Sequence, residues 1–298
     1  MAAAALRLLR PLIRAASFIA PSTTGTLAFK VFCTPPRRKE RSGNGKGVAR
    51  TAATRLARAT AIAVPFPCGS VSAYLFEPPG RRVPSSPRPT VILVHGWSSE
   101  AAFMTAFVSP LTEAGFRVVA FDLPGHGNST GRELNIPLGV ASLAAVAHAF
   151  APVHAIVTHS FGGAIAMAAM AGSVPAQPQV KAARLAMIAA PSSISLITRG
   201  FGKTIGLGAR GQAALERRIH IVAGAPVESF EGRDQLAAIG QPTLLVHCHD
   251  DRELGFHHAE ALAKAGAFVE LEATSGFGHR RILQAKPVVQ AVTRFVCA

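Results

Sequence analysis

A chain of 298 residues, 49% hydrophobic and 16% charged, has the length and apolar content for one large α/β domain or two small ones, which excludes disorder for most of it. The formal charge of +15 suggests nucleic acid until it is located: residues 1–60 hold 12 of the 31 Lys and Arg residues but only one of the 16 acids, Glu40, leaving 19 basic against 15 acidic side chains in 61–298. With one Trp, one Tyr and no basic patch interleaved with aromatic residues, the globular part is not expected to bind nucleic acid.

Residues 1–20 place Leu6, Leu9, Leu12, Ile13 and Ala16 roughly on one side of a helix and Arg7, Arg10 and Arg14 on another, with Pro11 interrupting. Three readings stay open: a helix lying on a membrane surface, an Arg-rich, acid-poor organelle transit peptide, and a basic extension packed on the domain. A secretory signal fits less well, because the run Ala15–Ala20 is short and no small-residue cleavage site follows it. Arg37-Arg38 lacks the apolar region of a twin-arginine signal, and no apolar run reaches the roughly 18 residues of a spanning helix. Cys33, Cys68, Cys248 and Cys297 show no framework spacing, so reduced thiols in a cytoplasmic protein, possible peripheral membrane contact included, are expected. Residues 34–60, rich in Pro, Gly, Arg and Lys, form the expected linker, dividing the chain into an extension, 1–60, and a domain, 61–298.

Strand signals begin at Val71–Phe76 and continue, after a Pro-rich connection at 78–89, with the apolar Thr90–Val94. A helix from about Ser99 to Ala114 stops at Gly115, and Arg117–Phe121 is the next strand. Helix Leu138–Phe150 precedes a strand from Val153, a turn carrying Ser160, and a helix of small residues. Strands at Arg184–Ala190, Thr243–Cys248 and Ala267–Glu272 and a helix at Arg280–Val296 complete the series. Short strands alternating with helices imply a mostly parallel sheet covered on both faces, with function at the strands' carboxyl ends.

Candidate chemistry collects at those ends. A serine on a sharp strand-to-helix turn is pushed clear of the backbone, so Ser160 is the candidate nucleophile. Thr158 stands two residues before it, where the usual turn has a small residue. Serine is barely ionised near neutral pH and needs a base held by an acid. His279, in the Gly-rich Ser275–Leu283 loop, is the candidate base; Asp251, in His247–Arg252, is the candidate acid. Backbone N–H groups of Phe161 and of Trp97, in Val94–Trp97, are the candidate oxyanion donors. His95, His126 and Asp122 are expected to brace loops.

Val94-His-Gly-Trp97, Phe121-Asp-Leu-Pro-Gly-His-Gly-Asn-Ser129, the Ser160 turn, the Asp251 loop and Gly278-His279 follow one another as in the α/β-hydrolase family, which the chain resembles from about residue 70 to its end. The resemblance, nearest to uncharacterised bacterial members, implies an eight-stranded, mostly parallel sheet with helices on both faces, a small helical lid at about 191–240 and a Ser160–Asp251–His279 triad. It also implies no cofactor and a small-molecule ester or thioester substrate. Family spacing places the acid four residues after His247, favouring Asp251 over Asp250. Cys248 stands where this acid loop usually has Gly.

Two other motifs are set aside. Gly202-Lys203-Thr204 lacks the earlier glycine and the preceding strand of a phosphate loop. The His247-x-His249-x-Asp251 spacing is that of metal-dependent hydrolases, but Arg252 stands where a further histidine would follow, so no metal is expected. The expected activity is hydrolysis through an acyl-enzyme on Ser160. Acyl transfer or lyase chemistry on the same site, or a membrane-associated protein with this fold and no activity, are the alternatives.

Overall fold

A computed structural model describes residues 2–36, 46–80 and 88–298; Arg37-Arg38 and most of the Pro-rich connection at 78–89 lie outside the described residues. The chain opens with helices α1 (Ala2–Ile19), α2 (Pro21–Cys33) and α3 (Lys46–Leu56) and the hairpin β1 (Thr60–Phe66) and β2 (Gly69–Phe76). There follow β3 (Thr90–Val94), α4 (Val108–Glu113), β4 (Arg117–Phe121), α5 (Ile136–Ala149), β5 (Val153–His159), α6 (Phe161–Ala171) and β6 (Arg184–Ile188). Helices α7 (Ile194–Ile205), α8 (Ala209–Ala223) and α9 (Gly232–Ile239) separate β6 from β7 (Thr243–Cys248), and α10 (His257–Ala263), β8 (Val269–Thr274), α11 (Gly278–Arg281) and α12 (Lys286–Cys297) end the chain.

The eight strands form one sheet in the order β1-β2-β4-β3-β5-β6-β7-β8, parallel except for β2, which runs antiparallel to both neighbours. The two-residue period of a strand sends alternate side chains to opposite faces, each buried under helices. Ile92, Val94, Val119, Phe121, Ile156 and Met187 enter one core with residues of α5, α6, α8 and α9; Val91, Leu93, Val118, Ala120, Val157 and Ile188 enter a second with Leu111 of α4 and Val288 and Val292 of α12. All the central strands' carboxyl ends therefore open on one edge, where the candidate loops lie.

Three parts differ from the sequence expectation. Thr60–Phe66 is an edge strand pairing in full register with β2, although Pro65 and its half-exposed pattern hide it. The expected linker contains α3, whose Ala52 is buried and whose Leu56 packs on the core beneath α4. The expected C-terminal helix is broken at Ala285, after which Pro287 sits in the first turn of α12, where its missing N–H costs nothing. The expected lid region is occupied by α7, α8 and α9, and α1 and α2 lie across α8, so these two helices of the extension are folded against that region.

Candidate active site

β5 ends at His159, and Ser160 takes φ 51° and ψ −124° before α6 begins. That unfavourable backbone is held by two hydrogen bonds, the Ser160 N–H to the Ile188 carbonyl at 2.9 Å and the Gly163 N–H to the Ser160 carbonyl at 2.8 Å. Small residues are demanded by close approach: a Cβ on Gly162 would lie 2.6 Å from the His95 carbonyl oxygen and 2.7 Å from that of Val94, and one on Gly163 would lie 2.7 Å from Ala190 Cβ. Thr158 fits nonetheless. It is fully buried, with Oγ1 3.4 Å from the Ala186 carbonyl, so the bulk two residues before the serine is absorbed by the sheet.

His279 Nε2 lies 3.0 Å from Ser160 Oγ, and His279 Nδ1 lies 2.7 Å from Asp251 Oδ2. Asp251 Oδ1 accepts the N–H groups of Glu253 and Leu254, each at 2.8 Å, and Oδ2 also stands 3.5 Å from His247 Nε2. Burial opposes ionisation of this carboxyl, but the bonds from His247, His279 and the Leu254 N–H outweigh it and hold the group well below the usual carboxylate range. A carboxylate that stays charged fixes Nδ1 as the protonated nitrogen and leaves the Nε2 lone pair facing the hydroxyl.

The neighbouring Asp250 does other work. Its Oδ1 accepts the Gly276 N–H at 2.7 Å and the Cys248 thiol at 2.8 Å, while the Gly278 N–H donates to Cys248 Sγ at 3.3 Å. The Cys248 thiol is thus a tie between the acid loop and the histidine loop. These contacts, the thiol first, lower the exposed Asp250 carboxyl below its ordinary value.

The loop after β3 is braced as expected. His95 Nε2 accepts the Leu123 N–H at 2.9 Å, which leaves Nδ1 to donate to the Gly96 carbonyl at 2.8 Å. His126 Nε2 accepts the Ser98 N–H, and Asp122 accepts the N–H groups of Ala101 and Asn128 and the Tyr74 hydroxyl. The Trp97 ring meets the Phe161 ring edge-on with centroids 6.0 Å apart, which sets the two candidate oxyanion residues side by side. Phe161 opens α6, so its N–H belongs to the first turn, where amides have no intrahelical acceptor.

Two buried histidines have contacts that the sequence did not predict: His159, and His258, which with His257 adds to the metal-ligand residue types around His247–Asp251. His159 packs beneath His279 with ring centroids 4.8 Å apart and donates from Nε2 to the His279 carbonyl at 2.9 Å. Inside an apolar strand it has no signal except its place beside Ser160. His258 Nδ1 accepts the Ser192 N–H at 3.2 Å and lies 2.8 Å from Ser192 Oγ. Burial lowers the His258 pKa to about 4. No carboxylate hydrogen-bonds this second Ser–His pair among the described residues, so it has the base without the orienting acid. Those residues contain no group of three or more His, Cys, Asp or Glu side chains placed to hold a metal ion either.

A model of the alpha/beta hydrolase family matches residues 91–291. A pimeloyl-[acyl-carrier protein] methyl ester esterase of Methylococcus capsulatus is 49% identical over 41 residues, which is 14% of this chain and 16% of that protein. Among solved structures, an esterase from Exiguobacterium antarcticum aligns with TM-score 0.58 at 14% identity, over 80% of this chain and 100% of that one. The thioesterase domain from the curacin biosynthetic pathway aligns with TM-score 0.56 at 17% identity, over 80% and 99%. At such identities the two structures speak for the fold, and the family match spans the parallel strands β4 to β8, nearly all of β3, and the Ser160 elbow. The chain belongs to the alpha/beta hydrolase family.

Proposed function

We propose that the protein is a cofactor-free serine hydrolase that cleaves a carboxylic ester or thioester through an acyl-enzyme on Ser160. The observation that carries this reading is the continuous chain Ser160 Oγ–His279 Nε2 at 3.0 Å and His279 Nδ1–Asp251 Oδ2 at 2.7 Å, set at a strained elbow. Ser160 Oγ attacks the acyl carbon as its proton passes to His279 Nε2, and the carbonyl electrons move onto oxygen. The Phe161 and Trp97 N–H groups stabilise that oxyanion, each worth about 3 kcal/mol at comparable sites. Collapse expels the alkoxide or thiolate, which takes the proton from His279. Water then repeats the sequence on the acyl-enzyme and releases the acid. An acceptor other than water would make the same site an acyltransferase.

The test is labelling with a fluorophosphonate, followed by a panel of p-nitrophenyl esters. Wild type is expected to label and turn over, and Ser160→Ala to do neither. Labelling that survives in Ser160→Ala removes the nucleophile assignment.

A second reading concerns location. We infer that α1 and α2 rest against an anionic membrane surface. Leu8 is 79% and Ile19 80% exposed, and residues 1–36 carry Arg7, Arg10, Arg14 and Lys30 without a single acid. Among the described residues no helix is long and apolar enough to cross a membrane, so contact of this kind is peripheral.

A further inference from the structure

We propose that α2 forms one wall of the acyl-binding site, so that the N-terminal extension selects an apolar acyl chain; this deepens the serine-hydrolase reading and rests on it. An apolar cleft runs from Phe161, the residue after Ser160, between Phe29, Phe32 and Cys33 of α2 and Ile219 and Val222 of α8. Its amide, Asn135, spends its carbonyl oxygen on the N-cap of α5, accepting the Leu138 N–H at 3.0 Å. Burial, with a smaller contribution from Glu133, pushes the Cys33 thiol up to about 12, so it stays neutral. A wall of this kind offers a polar or charged acyl group little to bond and suits a hydrocarbon chain.

The wall is built into the fold. Gly25 lets α2 press on α8 so closely that a Cβ there would lie 2.6 Å from Ala214 Cβ. Phe32 packs on Phe201 of α7 with ring centroids 5.1 Å apart, and the Arg218 guanidinium sits 5.9 Å over the Phe29 ring. At the end of α2 the Cys33 carbonyl accepts the Leu134 N–H at 2.8 Å, which fixes it to the loop that enters α5. On the opposite side Ser17 Oγ of α1 accepts the Gly208 N–H at 3.2 Å. The extension therefore touches the lid through α1 and α2, and α2 is the one that reaches the cleft.

In this state the cleft encloses only about 30 Å³, against roughly 150 Å³ for an apolar cavity that takes up benzene. A chain enters only if the wall yields. Trimming Phe32 removes that barrier in advance and favours long chains; enlarging it does the opposite. A methylene or two in an apolar pocket discriminates by about tenfold or more.

The experiment compares kcat/KM for p-nitrophenyl decanoate with that for p-nitrophenyl acetate in the full-length chain, and measures decanoate binding by calorimetry in parallel. Phe32→Ala is expected to raise the decanoate-to-acetate ratio about tenfold and Phe32→Trp to lower it about tenfold and to weaken decanoate binding. Phe32→Leu reads the same direction with a smaller change should Phe32→Ala not fold. A ratio and an affinity unmoved in every variant, with Ser160 still labelled by fluorophosphonate, overturn the wall. No labelling of Ser160, together with decanoate binding that still responds to Phe32, removes the hydrolase reading and leaves the wall standing.

Discussion

Asp250 and Asp251 leave one loop and meet different partners. Asp251 faces inward to His279 Nδ1, whereas Asp250 latches Gly276 to Cys248. Asn in place of the orienting acid keeps the histidine near its position but stabilises the wrong tautomer, a loss of about 10⁴ in turnover in a serine protease. Asp251→Asn is therefore expected to abolish nearly all ester turnover. Asp250→Asn is expected to keep most of it, because the amide oxygen still accepts the Gly276 N–H; both proteins stay folded by circular dichroism. The reverse ranking transfers the role to Asp250, and two active variants remove both from a triad. His159 makes a separate prediction. With Nε2–H given to the His279 carbonyl, its buried Nδ1 has no hydrogen-bond partner among the described residues, and burial first, then the neighbouring His279, hold its pKa at about 3. The unfolded chain takes up this proton near pH 6.5 and the folded one does not, so stability is full above pH 6.5 and falls as pH drops towards 3. The slope approaches about 1.4 kcal/mol per pH unit for one such group. Urea unfolding of wild type and His159→Gln at pH 7, 6, 5 and 4 reads it: the variant is expected to lose stability less steeply with acid, and parallel curves would show that His159 is not the group.

The elements that carry the site were legible because each joins a strand period to a turn residue with a steric reason. Gly162, Gly96 and Gly278 stand where the chain crosses itself closely or turns to positive φ, and the apolar strands before Ser160 and Asp251 are buried and short. What stayed hidden had its cause elsewhere in the fold. β1 is an edge strand whose pattern becomes regular only when paired with Val71–Phe76. α3 is polar by composition and is held by Ala52 and Leu56 against the segment after β3, a partner invisible locally. Within the strongly basic residues 1–60, the spacing Gly25, Ala28, Phe29, Phe32 is a short apolar stripe at three- and four-residue intervals and the face that meets α8 and the cleft. His159 was masked by the strand that contains it. In each case tertiary pairing, and not local propensity, supplied the missing term.

At the scale of the whole molecule, exposed large apolar side chains are concentrated on the N-terminal helices and their neighbours. Among the described residues, ten large apolar side chains are strongly exposed, and seven of them, Leu8, Leu9, Leu12, Phe18, Ile19, Leu27 and Val31, belong to α1 and α2; Leu196 and Ile221 of the neighbouring α7 and α8 add two more. Apolar side chains among basic ones, on helices too short or too polar to span, match the chemistry of an anionic lipid interface. Removing residues 1–60 is a poor test, because Gly25, Ala28 and Phe29 are buried and the cut would uncover the face of α8. Point variants of the full chain are better. The protein is expected to sediment with vesicles containing phosphatidylserine at low salt, and to be released as salt rises, since the basic side chains act within a Debye length. Arg14→Ser with Lys30→Ser, both exposed, should weaken binding by about 2 kcal/mol, near 30-fold, at about 1 kcal/mol per charge. Leu8→Ser with Ile19→Ser should weaken it at every salt concentration, because the apolar term is not screened. Wild-type protein that stays in the supernatant at low salt would sink the membrane reading, whereas loss only in the charge variants would reduce it to surface electrostatics without insertion.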